Sequence, residues 1–267
     1  MPQAVPALPP GCRLLAVDEI DSTNAEGMRL AAAGETGPLW IWAGTQTLGR
    51  GRSGRTWTSV AGNLYASLLI RLDCPPAAVH QLSLLTGVAA HDAIRAAAAG
   101  AGVELAGLRL KWPNDVLIGD GKLAGILPET TTITAGRARS VIAVVGVGMN
   151  LAGHPENLGR AVTHLAAHGC RITSANMLGS LAAAMERWLR RWDGGLGFAS
   201  VREAWLQRAG PLGEPMTVNA GTEPVEGSFL GIDAEGALVL RDPSGVQRRF
   251  TYGDVALGTA GEAKGRR

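Results

Sequence analysis

Hydrophobic positions change their period along the chain, and the changes mark out the elements. From Asn63 to Leu72 apolar side chains fall on alternate positions, Leu64, Ala66, Leu68, Ile70 and Leu72, the pattern of a strand with one face inward. Leu39 to Thr45 is apolar and β-compatible, so a second strand precedes it, with a loop between. Helical signals appear elsewhere. Thr23 and Glu26 have capping-box spacing and predict a short helix over Asn24 to Ala33 that stops at Gly34. Ala77 to Ala99 is rich in alanine, free of internal proline and followed by Gly100, which predicts a long helix packed in the core. Asn176 to Trp192 places Leu178, Leu181, Met185, Trp188 and Leu189 on the inner face of an amphipathic helix.

Leu108 to Trp112 reads as a strand broken at Pro113, since proline lacks an amide donor and restricts its predecessor. Gly119-Asp120-Gly121 predicts a tight hairpin, and Lys122 to Leu127 and Ser140 to Val147 read as further strands. Beyond Gly213 the pattern shifts to short β-prone runs, Met216 to Asn219, Val225 to Gly231, Ala237 to Arg241 and Val246 to Thr251, as in a small terminal barrel. The expectation is an α+β main domain over residues 1–212 and a barrel domain with its tail over 213–267.

Composition narrows the classes. A hydrophobic content of 46% over 267 residues suffices for a sizeable core. With 25 Lys and Arg against 23 Asp and Glu, a net charge of +2 offers no general field for a nucleic-acid backbone, so no nucleic-acid partner is expected. Cys12, Cys74 and Cys170 are odd in number and far apart, forming neither a disulfide framework nor a zinc motif, which fits a reducing cytoplasm. The proline-containing start, Met1 to Gly11, does not read as a signal peptide, and the apolar stretch Val141 to Met149 is too short to cross a bilayer.

The chemistry-bearing residues concentrate in two stretches. Thr45 to Trp57 interleaves Arg50, Arg52 and Arg55 with Gly49, Gly51 and Gly54 between two predicted strands. Glycines let backbone amides approach an anion, and arginines supply forked donors to phosphate or carboxylate oxygens. The same glycines formally match a dinucleotide fingerprint with Asp73 downstream, but that motif must open a helix and this one leads to a strand. A merely solvated arginine loop is the plain alternative. The second stretch runs from Lys111, Trp112, Pro113, Asn114 and Asp115 to Lys122, Gly125 and Glu129. A lysine beside a glycine-flanked turn can hold a substrate carboxylate and a phosphate together, which makes Lys122 the first catalytic candidate. Asp115 is a candidate magnesium ligand, because that ion takes oxygen donors and shares them with phosphates. Singly, each has a structural reading: Asn-Asp after proline is ordinary turn chemistry, and a lysine by a hairpin is usually solvated. Asp21 to Asn24 and Gly146 to Asn150 likewise read alone as a helix cap and a turn after a strand. His164 and His168 have helical spacing but no acidic neighbour to complete a zinc-hydrolase motif, and no serine lies in a nucleophile elbow.

Taken together, Gly49 to Trp57, Lys111 to Asp115, Lys122 to Glu129 and Gly146 to Asn150 resemble, in order and spacing, the biotin–protein ligase family. The resemblance is close from about Asp18 to Leu151 and looser beyond. It implies a mixed-sheet catalytic domain like that of class II aminoacyl-tRNA synthetases, with packed helices and an SH3-like C-terminal barrel. It implies that biotin and ATP give biotinyl-5′-adenylate and pyrophosphate, and that a lysine of a biotin carboxyl carrier domain then displaces AMP. No cofactor is permanently bound; magnesium accompanies the nucleotide. Carried over by motif, Ser22, Thr23, Asn24, Gln46 and Gly125 would line the biotin site, with Arg50, Gly51 and Arg52 over the carboxyl. Lys122 and Arg52 would be catalytic. Arg50, Arg52, Arg55, Trp57, Lys111, Asn114, Asp115 and Asn150 would meet the nucleotide, and Asp115 the metal. The family motif begins about twenty residues from Met1, which leaves no room there for the helix-turn-helix some relatives carry. Pro128 departs from the family pattern and puts local strand pairing in question. A homodimer through a sheet edge is compatible with the resemblance. Lipoate ligase or octanoyl transferase is the nearest enzymatic rival, and a non-catalytic biotin-binding regulator is a rival of another class.

Overall fold

A computed structural model describes residues 5–258 except 136–137 and 157–158, and the side chains of 133–139 are likewise left undescribed. The main sheet has seven strands, β1 (Arg13–Ile20), β2 (Leu39–Gln46), β3 (Leu64–Leu72), β4 (Leu108–Lys111), β5 (Asp115–Ile118), β6 (Gly121–Ala135) and β7 (Ala138–Met149). Their order is β1-β2-β3-β7-β6-β5-β4, and only β1 and β2 run parallel. Four helices pack on it: α1 (Thr23–Ala32), α2 (Gln81–Gly100), α3 (Ser174–Trp192) and α4 (Phe198–Leu206). A second, antiparallel sheet of five strands follows, β8 (Pro215–Asn219), β9 (Val225–Ile232), β10 (Leu238–Arg241), β11 (Gln247–Phe250) and β12 (Asp254–Leu257), ordered β11-β10-β9-β8-β12. The mixed main sheet with packed helices and the small C-terminal β-domain are the α+β architecture expected.

The two faces of the main sheet are covered unequally. A large core fills the space between one face and helices α2, α3 and α4, and a small one, Ala31, Leu39, Ile41, Leu69, Ile142 and Val144, lies under α1 on the other. Consequently β3 is buried on both faces as far as Leu69, with Tyr65 and Ser67 hidden as fully as Leu64, against the one-sided burial that alternation predicts. From Gln81 to His91 helix α2 is buried on every side between sheet and helices, and there Ala89 and Ala90 let neighbouring backbones approach, whereas Ala96 and Ala99 in its last turns are exposed. On its outer side Asp92 accepts both Nε and Nη2 of Arg208, at 3.1 and 2.9 Å, and Nε1 of Trp188 at 2.9 Å, tying α2 to α3 and the end of α4.

Several expected boundaries move. The N-cap of α1 is Ser22, whose hydroxyl accepts from the Ala25 amide, and Thr23 is thereby freed for other partners. The long helix begins at Gln81, after a 3-10 turn at Pro76–Ala78. Strands β6 and β7 are longer than expected, and β1, α4 and β12 had no sequence counterpart. Pro128 sits in β6 opposite Val145 without a register shift, so the doubt it raised about pairing to β7 is removed. His164 and His168 do not share a helix face: His164 precedes a 3-10 turn and packs against His154 with ring centroids 5.1 Å apart. No helix among the described residues is long and apolar enough to cross a membrane.

Candidate active site

The chain between β2 and β3 leaves the sheet and folds back over it. The Leu48 amide donates to Asp21 O at 2.8 Å, Gly51 to Arg55 O at 2.7 Å and Trp57 to Gly49 O at 2.9 Å, so the loop is a closed, self-bonded structure. A 3-10 turn at Arg52–Gly54 puts Ser53 and Gly54 in the left-handed region, and an extended segment follows; no helix starts here, which disposes of the dinucleotide reading. Its arginines reach three separate elements. Arg50 Nη2 donates to Glu129 on β6 at 3.2 Å. Arg52 donates to Asn114 Oδ1 at 3.0 Å and to Gly253 O at 2.8 Å. Arg55 Nη2 meets Asp254 of β12 at 2.7 Å, so the second domain helps to seat the loop.

Beneath the loop Lys122 pairs with Asp115, and Lys111 Nζ lies 3.3 Å from the other oxygen of Asp115 and donates to Val255 O at 3.0 Å. Neighbouring strands β5 and β6 bring the first two together across a register shift between Val116 and Leu117. Burial alone would raise the Asp115 pKa, but the two ammonium groups outweigh it and hold the carboxyl below its usual range. Burial pushes Lys122 below the usual lysine range against the opposing pull of Asp115, and burial likewise lowers Arg52 against Asp254. At neutral pH this is a desolvated cluster of cations partly matched by carboxylates, where an added anion meets little competing water.

The other side of Lys122 is a polar pocket at the start of α1. Gln46 Oε1 accepts the amide and hydroxyl of Thr23 at 2.8 and 3.1 Å. Ser67 Oγ lies 2.8 Å from Thr23 Oγ1 and donates to Asn24 Oδ1 at 2.7 Å. Asn24 Nδ2 then donates to Leu127 O at 3.0 Å and Glu129 at 2.7 Å. Glycines make room for this arrangement. A Cβ at Gly146 would lie 2.3 Å from Asn24 Oδ1, one at Gly148 2.5 Å from the Trp57 ring, and one at Gly125 2.9 Å from that ring. Gly146 and Gly148 are therefore inside strand β7 for close approach, not at a turn after it as expected.

Three adjoining cavities converge on Lys122. A cleft of about 600 Å³ contains every residue expected at the biotin site, Ser22, Thr23, Asn24, Gln46, Arg50, Gly51, Arg52, Lys122 and Gly125. A larger one between the domains, about 1510 Å³, is lined by Arg52, Arg55, Lys111, Asn114, Asp115 and Lys122 among others. A third, about 330 Å³, runs along Trp57 to Asn150. Asn150 itself is buried, with Nδ2 donating to Thr163 O at 3.0 Å. Three participants had escaped attention, and Glu129, though named in the second stretch, had been given no role. Ser67 belongs to a strand whose alternation had been read only for apolar residues, Asp254 sits in an unrecognised strand, and Arg160 lies in a connection without a periodic signal. No group of three or more His, Cys, Asp or Glu among the described residues is arranged to hold a metal ion.

A mixed sheet that gathers cations from separate stretches beneath a self-bonded loop, beside a polar pocket and closed by a small β-domain, defines a two-domain binder of anionic substrates. Comparison with known proteins gives it a lineage. The model of the Biotin/lipoate A/B protein ligase family matches residues 17–150, and that of the biotin protein ligase C-terminal domain matches 212–258. A biotin–acetyl-CoA-carboxylase ligase of Paracoccus denitrificans is 42% identical over 85% of this chain and 93% of its own length. One of Mycobacterium tuberculosis is 33% identical over 90% and 86%. The biotin protein ligase of Aquifex aeolicus in complex with biotin and ATP superposes with a TM-score of 0.73 at 25% identity, covering 92% of this chain and 98% of that one. The chain belongs to the biotin/lipoate protein ligase family.

Proposed function

We propose that this chain is a biotin–protein ligase: it activates biotin with ATP to biotinyl-5′-adenylate and transfers the biotinyl group to a lysine of a biotin carboxyl carrier domain. The observation that carries this is the placement of Lys122, shared by the polar cleft of Thr23, Asn24 and Gln46 and by the cleft of Lys111, Asn114 and Asp115. The names of its relatives and the biotin and ATP in the Aquifex structure agree with it.

In the first step a biotin carboxylate oxygen bonds to the α-phosphorus of ATP, and the bond from that phosphorus to the bridging oxygen breaks. The electron pair leaves with pyrophosphate. Two anions must meet, so the protein's task is to neutralise and align them. Ser22, Thr23, Asn24, Gln46 and Gly125 receive biotin, Lys122 bridges its carboxylate to the α-phosphate, and Arg50, Gly51 and Arg52 cover both. Arg55, Lys111 and Asn114 meet the phosphate chain, and Trp57 and Asn150 flank the nucleoside. Glu129, Asp115 and Asp254 hold the cations in place until substrate oxygens take over. Among the described residues Asp115 is the one acidic side chain shared by Lys111 and Lys122. A single carboxylate plus phosphates suits magnesium, which keeps much of its shell in water and substrate, so Asp115 would hold the ion and the ion would screen the triphosphate. In the second step the neutral ε-amine of the acceptor bonds to the acyl carbon, the carbon–oxygen bond to phosphate breaks and AMP leaves with that pair; the amine's extra proton goes to solvent. No side-chain nucleophile is needed. The cysteine usage agrees with a cytoplasmic protein.

The test is ATP–pyrophosphate exchange with magnesium and no acid, biotin, lipoate or octanoate. Exchange with biotin alone is the expected result. Lipoate-dependent exchange would move the protein to the sister activity, and silence with every acid in folded protein would refute catalysis.

A further inference from the structure

Of the described residues lining the three cavities around Lys122, only Lys122 and Arg160 belong to all three. One cavity is the polar pocket at α1, one passes between the domains and one runs along Trp57, so their junction is where an acid, a phosphate chain and a nucleoside must meet. We propose that Arg160 is a further phosphate-binding cation of the activation step, acting beside Lys122 where the bond to the leaving pyrophosphate breaks. The inference rests on the ligase reading above and deepens it.

Arg160 belongs to a segment with no regular structure, yet the backbone beside it is tied to the main sheet. The Lys122 amide donates to Ala161 O and the Thr163 amide to Lys122 O, both at 3.0 Å, so the segment pairs as a short parallel bridge with the strand that carries Lys122. Asn150 Nδ2 fastens the same segment by donating to Thr163 O at 3.0 Å. The arginine is thus anchored at its backbone while its side chain is exposed to the cavities. Its charge is close enough to bear on the ammonium of Lys122.

Charge matching separates Arg160 from the other cations of the site. Arg50 has Glu129, Arg52 and Arg55 have Asp254, and Lys111 and Lys122 have Asp115. Among the described residues no carboxylate lies within ion-pair distance of Arg160. The other cations exchange an internal carboxylate for a substrate oxygen when ligands arrive, whereas Arg160 gains a counterion without giving one up. Breaking the phosphorus–oxygen bond places an additional charge on the departing pyrophosphate, and a forked guanidinium beside Lys122 is suited to receive it.

Arg160→Ala and Arg160→Lys should be compared with wild type in biotin-dependent ATP–pyrophosphate exchange, with biotin affinity measured separately by calorimetry and folding by thermal midpoint. For Arg160→Ala we expect exchange to fall about tenfold to a hundredfold, the KM for pyrophosphate to rise about tenfold and biotin affinity to stay within about twofold. Arg160→Lys should recover part of the rate, since it keeps the charge but not the fork. Wild-type exchange and pyrophosphate KM in Arg160→Ala would overturn the assignment while leaving the ligase reading intact. A loss of biotin affinity as large as the loss of rate would also overturn it, by making Arg160 part of the biotin pocket. No biotin-dependent exchange in wild type itself would overturn both.

Discussion

Gly146→Ala tests whether the polar pocket is as rigid as its hydrogen bonds imply. The new methyl would lie 2.3 Å from Asn24 Oδ1 and 2.9 Å from its Cγ, about 1 Å short of ordinary contact. Asn24 cannot retreat freely. Its Oδ1 accepts from buried Ser67 at 2.7 Å, and its Nδ2 is shared by Leu127 O and the Glu129 carboxylate. A displacement of about 1 Å takes these bonds beyond hydrogen-bond range; at about 1 kcal/mol for each neutral bond, and more for the charged one, the cost is about 3 kcal/mol. At about 2–4 °C per kcal/mol for a protein of this size, the thermal midpoint should fall by about 6–12 °C. Biotin affinity, read by calorimetry at a temperature where the variant is folded, should fall at least about tenfold because Asn24 is displaced within the pocket. Gly100→Ala is the control: nothing lies within 4 Å of that Cβ, and it ends α2, so it should be neutral or slightly stabilising. A Gly146→Ala protein with a midpoint within about 2 °C of wild type and undiminished biotin affinity would show that Asn24 is not held as described.

Three further outcomes follow from the same geometry. Lys122→Ala should lose adenylate formation by a factor of at least about 10² in single-turnover assays while its urea midpoint changes little, because Asp115 keeps Lys111 as a partner; near-normal activity in folded protein would remove Lys122 from the mechanism. Arg52→Ala breaks the contacts to Asn114 and Gly253 and should release biotinyl-adenylate into solution, read as promiscuous labelling of a bystander protein's lysines; tight retention would show that the loop does not hold the intermediate. Asp92 opposes its burial with hydrogen bonds from Trp188 and Arg208, the Arg208 charge and the nearby His91 ring, and its pKa is lowered from 3.8 to about 2. A depressed folded-state value means stability that is fully present above about pH 4 and is lost as pH falls through about 2. Its worth is about 2 kcal/mol, roughly half of it gone by pH 3. Urea titrations of wild type and Asp92→Asn should therefore converge as pH falls from 6 to 3, and a constant gap would rule out this carboxylate as a source of acid sensitivity.

The resting site matches part of its cationic charge internally. Glu129, Asp115 and Asp254 come from two strands of the main sheet and one of the small domain, and each holds at least one cation to which the proposed reaction gives a role. Arrangements of this kind keep arginine and lysine side chains oriented at little reorganisation cost when a substrate anion replaces the carboxylate. They also explain why a chain of near-neutral net charge can hold a strongly cationic cleft.

What could be read along the chain was whatever depends on near neighbours. Alternation in Leu64–Leu72, the alanine run of α2 and the amphipathic face of α3 reflect periods of two and 3.6 residues, which adjacent side chains impose on the backbone. The cationic loop and Lys122 were visible because arginine, lysine and glycine crowd together there, and the resemblance to a family then ordered them into a site. Long-range placement was not visible. Ser67 looked like the outward face of a strand until α1 covered it, and nothing in the turns of the small domain announced that Asp254 would hold an arginine 199 positions earlier. Gly146 and Gly148 read as turn residues because the side chains that exclude a Cβ, Asn24 and Trp57, approach from elsewhere in the chain. Arg160 had no periodic neighbours, and its place beside Lys122 comes from one short bridge between distant backbones. Local sterics and hydrophobic spacing specify the elements; which charges meet, and where a methyl group cannot fit, is decided only when the packed sheet and the second domain bring remote residues into contact.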